Sequence, residues 1–98
     1  MRLFVISILA ILAIFLSAND FENAKTAYQT SDYTKAKTLF EVTCYNNNNP
    51  QSCAILAVMY VNGQGVIKDI AKAKELYKKS CDYHFELGCK GYNELSAN

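Results

Sequence analysis

A repeated segment with cysteines at equivalent positions constrains this chain more than any other feature. Residues 32–44 align with residues 69–81, with six identities in thirteen positions at an offset of 37. Internal periods of this size are typical of stacked helix pairs, which bury a continuous core only through their neighbours. The sequence therefore predicts an all-α fold, a short α-solenoid of antiparallel helix pairs. Each copy ends in a cysteine, and a second cysteine comes shortly after it: Cys53 after Cys44, and Cys89 after Cys81.

Residues 1–18 have the layout of a secretory signal peptide. Arg2 precedes an apolar stretch from Leu3 to Leu16, which ends in Ser17-Ala18. A bilayer-spanning helix needs about 20 apolar residues, and this run is shorter. We expect cleavage after residue 18, a single domain of residues 19–98, a secreted or periplasmic location and no stable membrane insertion. The alternative is an uncleaved anchor.

The charge balance argues against nucleic acid as a partner. The chain carries a formal charge of +1, which falls to zero once Arg2 is removed with the leader. Nucleic-acid binding depends on a dense basic footprint, and none is present. A mature chain of about 80 residues also rarely builds a sufficient core unaided, so we expect the cysteines to staple it.

Apolar residues at helical spacing predict the first two helices of the domain. One spans residues 21–29 and ends at the polar break of residues 30–32. The next begins at Tyr33, with Ser31 or Asp32 as its N-cap. Its predicted core face recurs at i, i+3, i+6 and i+7: Tyr33, Ala36, Leu39, Phe40, Thr43 and Cys44.

The third helix follows an asparagine turn, residues 46–49. Asn49 is its expected N-cap, and Pro50 takes the first helical position, where a missing N–H costs nothing. Nine consecutive apolar residues from Cys53 to Val61 are equally compatible with a buried strand. Good helix formers among them, and the helices predicted on either side, favour a helix.

A glycine-containing turn separates the third helix from the fourth. Gly63 and Gly65 are free to take positive φ there, and Asp69 is the expected N-cap of the fourth helix. The predicted core face of the fourth helix repeats the spacing of the second: Ile70, Ala73, Leu76, Tyr77, Ser80 and Cys81. A fifth helix closes the stack, with two residues equivalent to core residues of the third: Tyr92 to Leu56, and Leu95 to Met59.

The four cysteines allow three disulfide connectivities, and sequence alone selects none of them. Antiparallel helix ends bring Cα atoms within bonding range, and the repeat symmetry favours Cys44 with Cys53 and Cys81 with Cys89. The alternatives are a zinc site that uses these thiols with His84, or a free catalytic thiol. Structural zinc prefers tighter cysteine spacing, and an even cysteine count in an oxidising compartment favours bridges.

The run from Gly63 to Asp69, followed by Lys72-Ala73-Lys74, Leu76-Tyr77 and Cys81, resembles the Sel1-like repeat, a relative of the tetratricopeptide repeat. With its paired cysteines, the chain is similar to the Helicobacter cysteine-rich protein family. The resemblance covers residues 21–95 and implies two-helix repeats, disulfides between successive helices and a concave face. It also implies penicillin binding and β-lactamase activity, the label that this family carries.

The residues themselves support no catalytic assignment. A serine β-lactamase needs Ser-x-x-Lys and Lys-Thr-Gly, and neither string occurs. A metallo-enzyme needs several ligands with an open position, whereas His84 is the sole histidine. We therefore assign no catalytic residue, metal site or cofactor. His84 could act as a general base, but the simpler interpretation is a surface or packing residue.

Other candidate residues are more simply explained by packing or solvation. Tyr28, Tyr60 and Tyr77 fall at core-facing positions, and Tyr33 either packs or faces a ligand. The lysines that recur in register form a solvated face or, alternatively, a weak basic stripe: Lys35, Lys37, Lys72 and Lys74.

Three functions fit this sequence. The first is an exported interaction module whose helical groove binds a peptide, a protein or a peptidoglycan-like cell-wall ligand. The second, from the family resemblance alone, is a β-lactamase or β-lactam binder. The third is a minimal adaptor that acts only when docked on a larger repeat protein.

Overall fold

The computed structural model describes residues 19–97, and over that range it contains five α-helices and no strand. The all-α prediction is confirmed, including the helix across the apolar run that a strand also fitted. The predicted signal peptide lies outside the described residues. The helices are α1 Asp20–Gln29, α2 Tyr33–Tyr45, α3 Pro50–Asn62, α4 Ile70–Asp82 and α5 Glu86–Ser96.

Each helix packs against the next one along the chain, and α3 also contacts α5. Short connections make consecutive helices antiparallel, so that α1, α3 and α5 run in one direction and α2 and α4 in the other. This is the predicted short solenoid of two helix pairs and a terminal helix.

Side-chain caps set the starts of the three central helices. Asp32, Asn49 and Asp69 each accept a hydrogen bond from a backbone N–H two or three residues further on. Of the two candidates for α2, Asp32 is the cap, whereas Ser31 turns the chain with a φ of 63°. Pro50 occupies the first turn of α3 as expected. Local sequence therefore determines where these helices begin.

The loop between α3 and α4 belongs to the second helix pair and contacts the first. Gly63 and Gly65 have φ values of 68° and 69°, as the sequence predicts. Gly65 lies against the start of α2, so close that a Cβ there would be 2.7 Å from the carbonyl oxygen of Tyr33. The Tyr28 hydroxyl donates to Gln64 Oε1 at 3.1 Å. This loop of the second helix pair thus packs directly on the first helix pair.

The core consists of a few large side chains set among alanines. Phe40, Leu56, Met59 and Leu76 are buried, and small residues at the helix contacts allow close approach. The buried alanines are Ala24, Ala27, Ala36, Ala54, Ala57 and Ala73.

Tyrosines line the edge of this core rather than its centre. Tyr28, Tyr60 and Tyr77 are half-buried and pack against it, as predicted. Tyr33, for which two roles were open, also packs, with its ring edge-on to that of Tyr28 at 5.4 Å between centroids.

Two sequence assignments at the helix ends need correction. Ile70 is 41% exposed rather than part of the core. As the first residue of α4 it lies at the rim of the stack, and the buried row starts one turn later at Ala73. In α5 the buried positions are Gly88 and Gly91, while Tyr92 is only half-buried. The backbone of α5 therefore lies directly against two side chains of α4, with Gly88 at Ser80 and Gly91 at the Tyr77 ring.

A buried hydroxyl links the end of α4 to the start of α3. Ser80 Oγ donates to the carbonyl oxygen of Pro50 at 2.8 Å, and Ser80 is fully buried. We expect Ser80→Ala to lower the free energy of unfolding by about 1 kcal/mol, because the buried hydrogen bond between the two helices is lost. Thr38→Ala is the control, since the exposed Thr38 hydroxyl bonds only within its own helix. Urea unfolding followed by circular dichroism measures both, and equal losses would contradict the assignment.

Candidate functional site

A groove of about 540 Å³ runs across α1, α3 and α5. Its floor is α3, from which four residues at i, i+3, i+4 and i+7 face the groove: Gln51, Ala54, Ile55 and Val58. This spacing places them along one side of the helix. The opposite side of α3 carries Cys53, Leu56 and Met59, which are fully buried. The apolar run of α3 therefore serves two surfaces, the core and the groove floor.

The two rims of the groove come from the outer helices. Phe21 and Lys25 of α1 form one rim. The other is a single row on α5, again at i, i+3, i+4 and i+7: Leu87, Lys90, Gly91 and Glu94. Leu87 is 63% exposed and adds apolar surface to this rim. Phe85, just before α5, also lines the groove.

Tyr77 of α4 supplies a polar group to this apolar surface. Its ring packs against the backbone of Gly91, where a Cβ would lie 2.5 Å from it. Burial raises the pKa of Tyr77, and the charge of Glu94 and the nearby Tyr28 raise it further. Within residues 19–97 the Tyr77 hydroxyl makes no hydrogen bond to another protein group. At physiological pH it is therefore a neutral donor on the groove wall.

The raised pKa of Tyr77 predicts a specific dependence of stability on pH. Above the ordinary tyrosine pKa of 10.0, the unfolded chain ionises Tyr77 while the folded chain keeps its proton. The folded state then binds more protons, so the free energy of unfolding falls as the pH rises through this window. We expect Tyr77→Phe to decline less steeply in urea unfolding between roughly pH 9 and 11. Identical alkaline slopes for the variant and the wild type would contradict this.

The groove charges are unevenly compensated. Lys25 Nζ lies 3.1 Å from Glu22 Oε1 and 4.8 Å from the centre of the Phe21 ring. Lys90 has no carboxylate within 4.0 Å among the described residues. Glu94, one turn further along α5, is close enough to Tyr77 to affect its pKa. The rim formed by α5 thus presents a free ammonium group.

Two disulfides connect successive helices. Cys44 and Cys53 join the end of α2 to the start of α3, with 4.8 Å between their Cα atoms. Cys81 and Cys89 join α4 to α5 in the same way, at 4.4 Å. These are the pairs that the repeat symmetry favours. All four sulfurs are bonded, so none of them is a thiol that could ligate zinc or attack a substrate.

His84 occupies the turn between α4 and α5, away from the groove lining. It is exposed and has a φ of 65°, a conformation that histidine adopts more readily than most residues. Its backbone N–H donates to the carbonyl oxygen of Cys81 at 2.8 Å. The part of the chain that the structure describes holds no group of three metal-ligating side chains.

The lysines in register are not a continuous basic stripe. Lys37 pairs with Glu41 at 3.4 Å, and Lys74 lies over the Tyr92 ring at 5.7 Å. A hydrogen bond with Tyr45 raises the pKa of Lys72, which also faces Glu75 at 3.9 Å. All four of these lysines are exposed or half-buried: Lys35, Lys37, Lys72 and Lys74.

The resemblance to the Sel1-like repeat implies a concave face, but the sequence does not show which residues line it. The missed signal is the matching spacing of Gln51–Val58 and Leu87–Glu94 on helices that run in the same direction. Recognising it requires knowing that α3 and α5 lie side by side, which depends on tertiary packing.

Antiparallel helix pairs, two disulfides and a groove across the odd-numbered helices define a short helical repeat protein. Residues 50–82, which span α3, its glycine loop and α4, match the Sel1 repeat. The second helix pair is therefore similar to a Sel1 repeat along its whole length. Comparison with curated proteins finds no match for the chain. None of the helices within residues 19–97 is long and apolar enough to cross a membrane.

Proposed function

We propose that this chain is an exported interaction module that binds a peptide segment of a partner protein in the groove of α1, α3 and α5. The observation that carries the proposal is the apolar floor of α3, open to solvent on a small, covalently stapled scaffold. Apolar pockets with a few convergent polar groups are the usual form of binding sites. Repeat arrays commonly use their concave surfaces in this way.

The groove offers suitable contacts for a peptide. Ile55 and Val58 provide apolar contact for side chains, while the Tyr77 hydroxyl and the Gln51 amide can hydrogen-bond to peptide carbonyls. The disulfides hold successive helices together at two points. A scaffold that is rigid before binding loses less conformational entropy when a ligand binds.

A groove-blocking substitution tests this function. The oxidised protein is used to select peptides from a random displayed library, and binding is then measured with the selected synthetic peptides. We expect Val58→Arg to weaken binding at least tenfold, because it places a charge on the apolar floor. Ile70→Arg is the matched control, since Ile70 is exposed and lies outside the groove. Equal binding by wild type and Val58→Arg, with circular dichroism unchanged, would refute the groove as the site.

Export is part of the proposal. The signal-like leader of residues 1–18 and the pairing of all four cysteines both favour an oxidising compartment, periplasmic or extracellular. Non-reducing peptide mapping of the native protein should find the leader removed and Cys44–Cys53 and Cys81–Cys89 bridged. Four reduced thiols would contradict it.

The β-lactamase function implied by the family resemblance is a separate outcome of the test. The groove lining contains no serine, cysteine or histidine within the described residues. We expect turnover of a chromogenic cephalosporin to be no faster than in buffer. If the purified protein accelerates this turnover and Val58→Arg abolishes the acceleration, the groove is instead a β-lactam site.

A further inference from the structure

Lys90 differs from the other lysine of the groove in lacking a charge partner. Lys25 on the opposite rim has the Glu22 carboxylate at 3.1 Å. The ion pairs of the described chain use four lysines, and Lys90 is not among them: Lys25, Lys37, Lys72 and Lys78. Lys90 is exposed and lies next to Leu87 in the row of α5 that faces the groove.

Glu94 does not neutralise Lys90, although it lies four residues further along the same helix. No oxygen of Glu94 is within 4.0 Å of the Lys90 ammonium, and Glu94 is close enough to Tyr77 to raise the pKa of that residue. A second acidic group near Glu94 would be repelled, whereas one near Lys90 would be attracted. The rim therefore favours an acidic group at one end only, beside the exposed Leu87.

We propose that the partner of this groove is a peptide segment whose apolar side chains cover the α3 floor and whose Asp or Glu side chain pairs with Lys90. The inference rests on the proposed function and adds the chemistry of its ligand. One carboxylate suffices, because Lys90 is the only lysine among the lining residues that has no ion pair. Complementary charges at the rim of an interface select partners and orient them.

The displayed-peptide selection tests this inference when it is repeated with Lys90→Glu. Lys35→Glu is the control, because it changes the net charge equally at an exposed residue outside the groove. Wild type and Lys35→Glu should both enrich peptides that combine apolar residues with an acidic one. Lys90→Glu should lose this acidic preference.

Binding of one selected acidic peptide, and of its Glu→Lys analogue, then gives the pairwise effect. We expect wild type to bind the analogue about fivefold more weakly, and Lys90→Glu to reverse that order. Loss of affinity that is identical in both proteins would overturn the pairing with Lys90 and leave the groove proposal standing. If no enriched peptide binds wild type more tightly than Val58→Arg, both the groove proposal and the pairing with Lys90 are overturned.

Discussion

Replacing Cys44 and Cys53 together by alanine should lower the free energy of unfolding by about 4 kcal/mol, the larger of the two disulfide effects in this chain. Closing a loop of this length contributes roughly 2.5 kcal/mol in the chain-entropy model. Both cysteines are also fully buried at the contact between α2 and α3. Each substitution therefore removes a packed sulfur from the core as well, which adds about 1 kcal/mol or less per site.

The second disulfide provides the matched comparison. Cys81 and Cys89 close a loop of similar length, with a sequence separation of 8 against 9, but both are only half-buried. We expect the alanine pair at these positions to cost about 2.5 kcal/mol, mainly the entropic contribution. Urea unfolding of the oxidised proteins measures both. Equal losses would show that burial of Cys44 and Cys53 adds nothing, and an unchanged stability would refute the stapling role.

Gly65→Ala should destabilise the protein by about 3 kcal/mol, whereas Gly63→Ala should cost only about 1 kcal/mol. The two glycines have nearly the same positive φ, so the conformational cost of a side chain is the same at both. A Cβ at Gly63 has room, with Lys68 Cβ nearest at 3.6 Å. A Cβ at Gly65 would lie 2.7 Å from the Tyr33 carbonyl oxygen, a backbone atom that cannot turn aside.

The difference between these variants measures the contact between the glycine loop and the first helix pair. Urea unfolding gives the two free energies, and hydrogen exchange at the Gln64 amide, which donates to the Met59 carbonyl, reports whether the loop has moved. We expect faster exchange in Gly65→Ala only. Equal destabilisation by both substitutions would mean that the close approach to Tyr33 contributes nothing.

Displacing this loop should also affect the groove. Phe21 and Lys25 of α1 form one rim, and the loop of residues 63–69 helps to hold the first unit against the second through Gln64 and Tyr28. The stability of the second helix pair and the shape of the proposed binding surface thus depend on the same contact.

Some features of this protein follow from short stretches of sequence. Asp32, Asn49 and Asp69 cap helices because a side-chain oxygen and the N–H groups it satisfies are at most three residues apart. The positive φ of Gly63 and Gly65 follows equally from local sterics. These features can therefore be predicted without knowing which helices pack together.

The core face of the repeat could be predicted only in part. Ala36 and Phe40, and Ala73 and Leu76, are buried as the helical spacing requires. Ile70 has the right spacing, but it lies at the end of a helix, where no neighbour covers it. Periodicity gives the direction of a side chain, and burial depends also on whether another element extends that far.

The sequence by itself determined the helices, their caps, the glycine turn and the favoured cysteine pairs, since each of these depends on residues close together in the chain or on the internal repeat. Only the tertiary structure decided which side of α3 faces the groove, that Gly88 and Gly91 bring α5 close to its neighbours, and that Lys90 has no charge partner. These properties depend on distances between helices far apart in sequence. A pattern of residue types along one helix does not contain such distances.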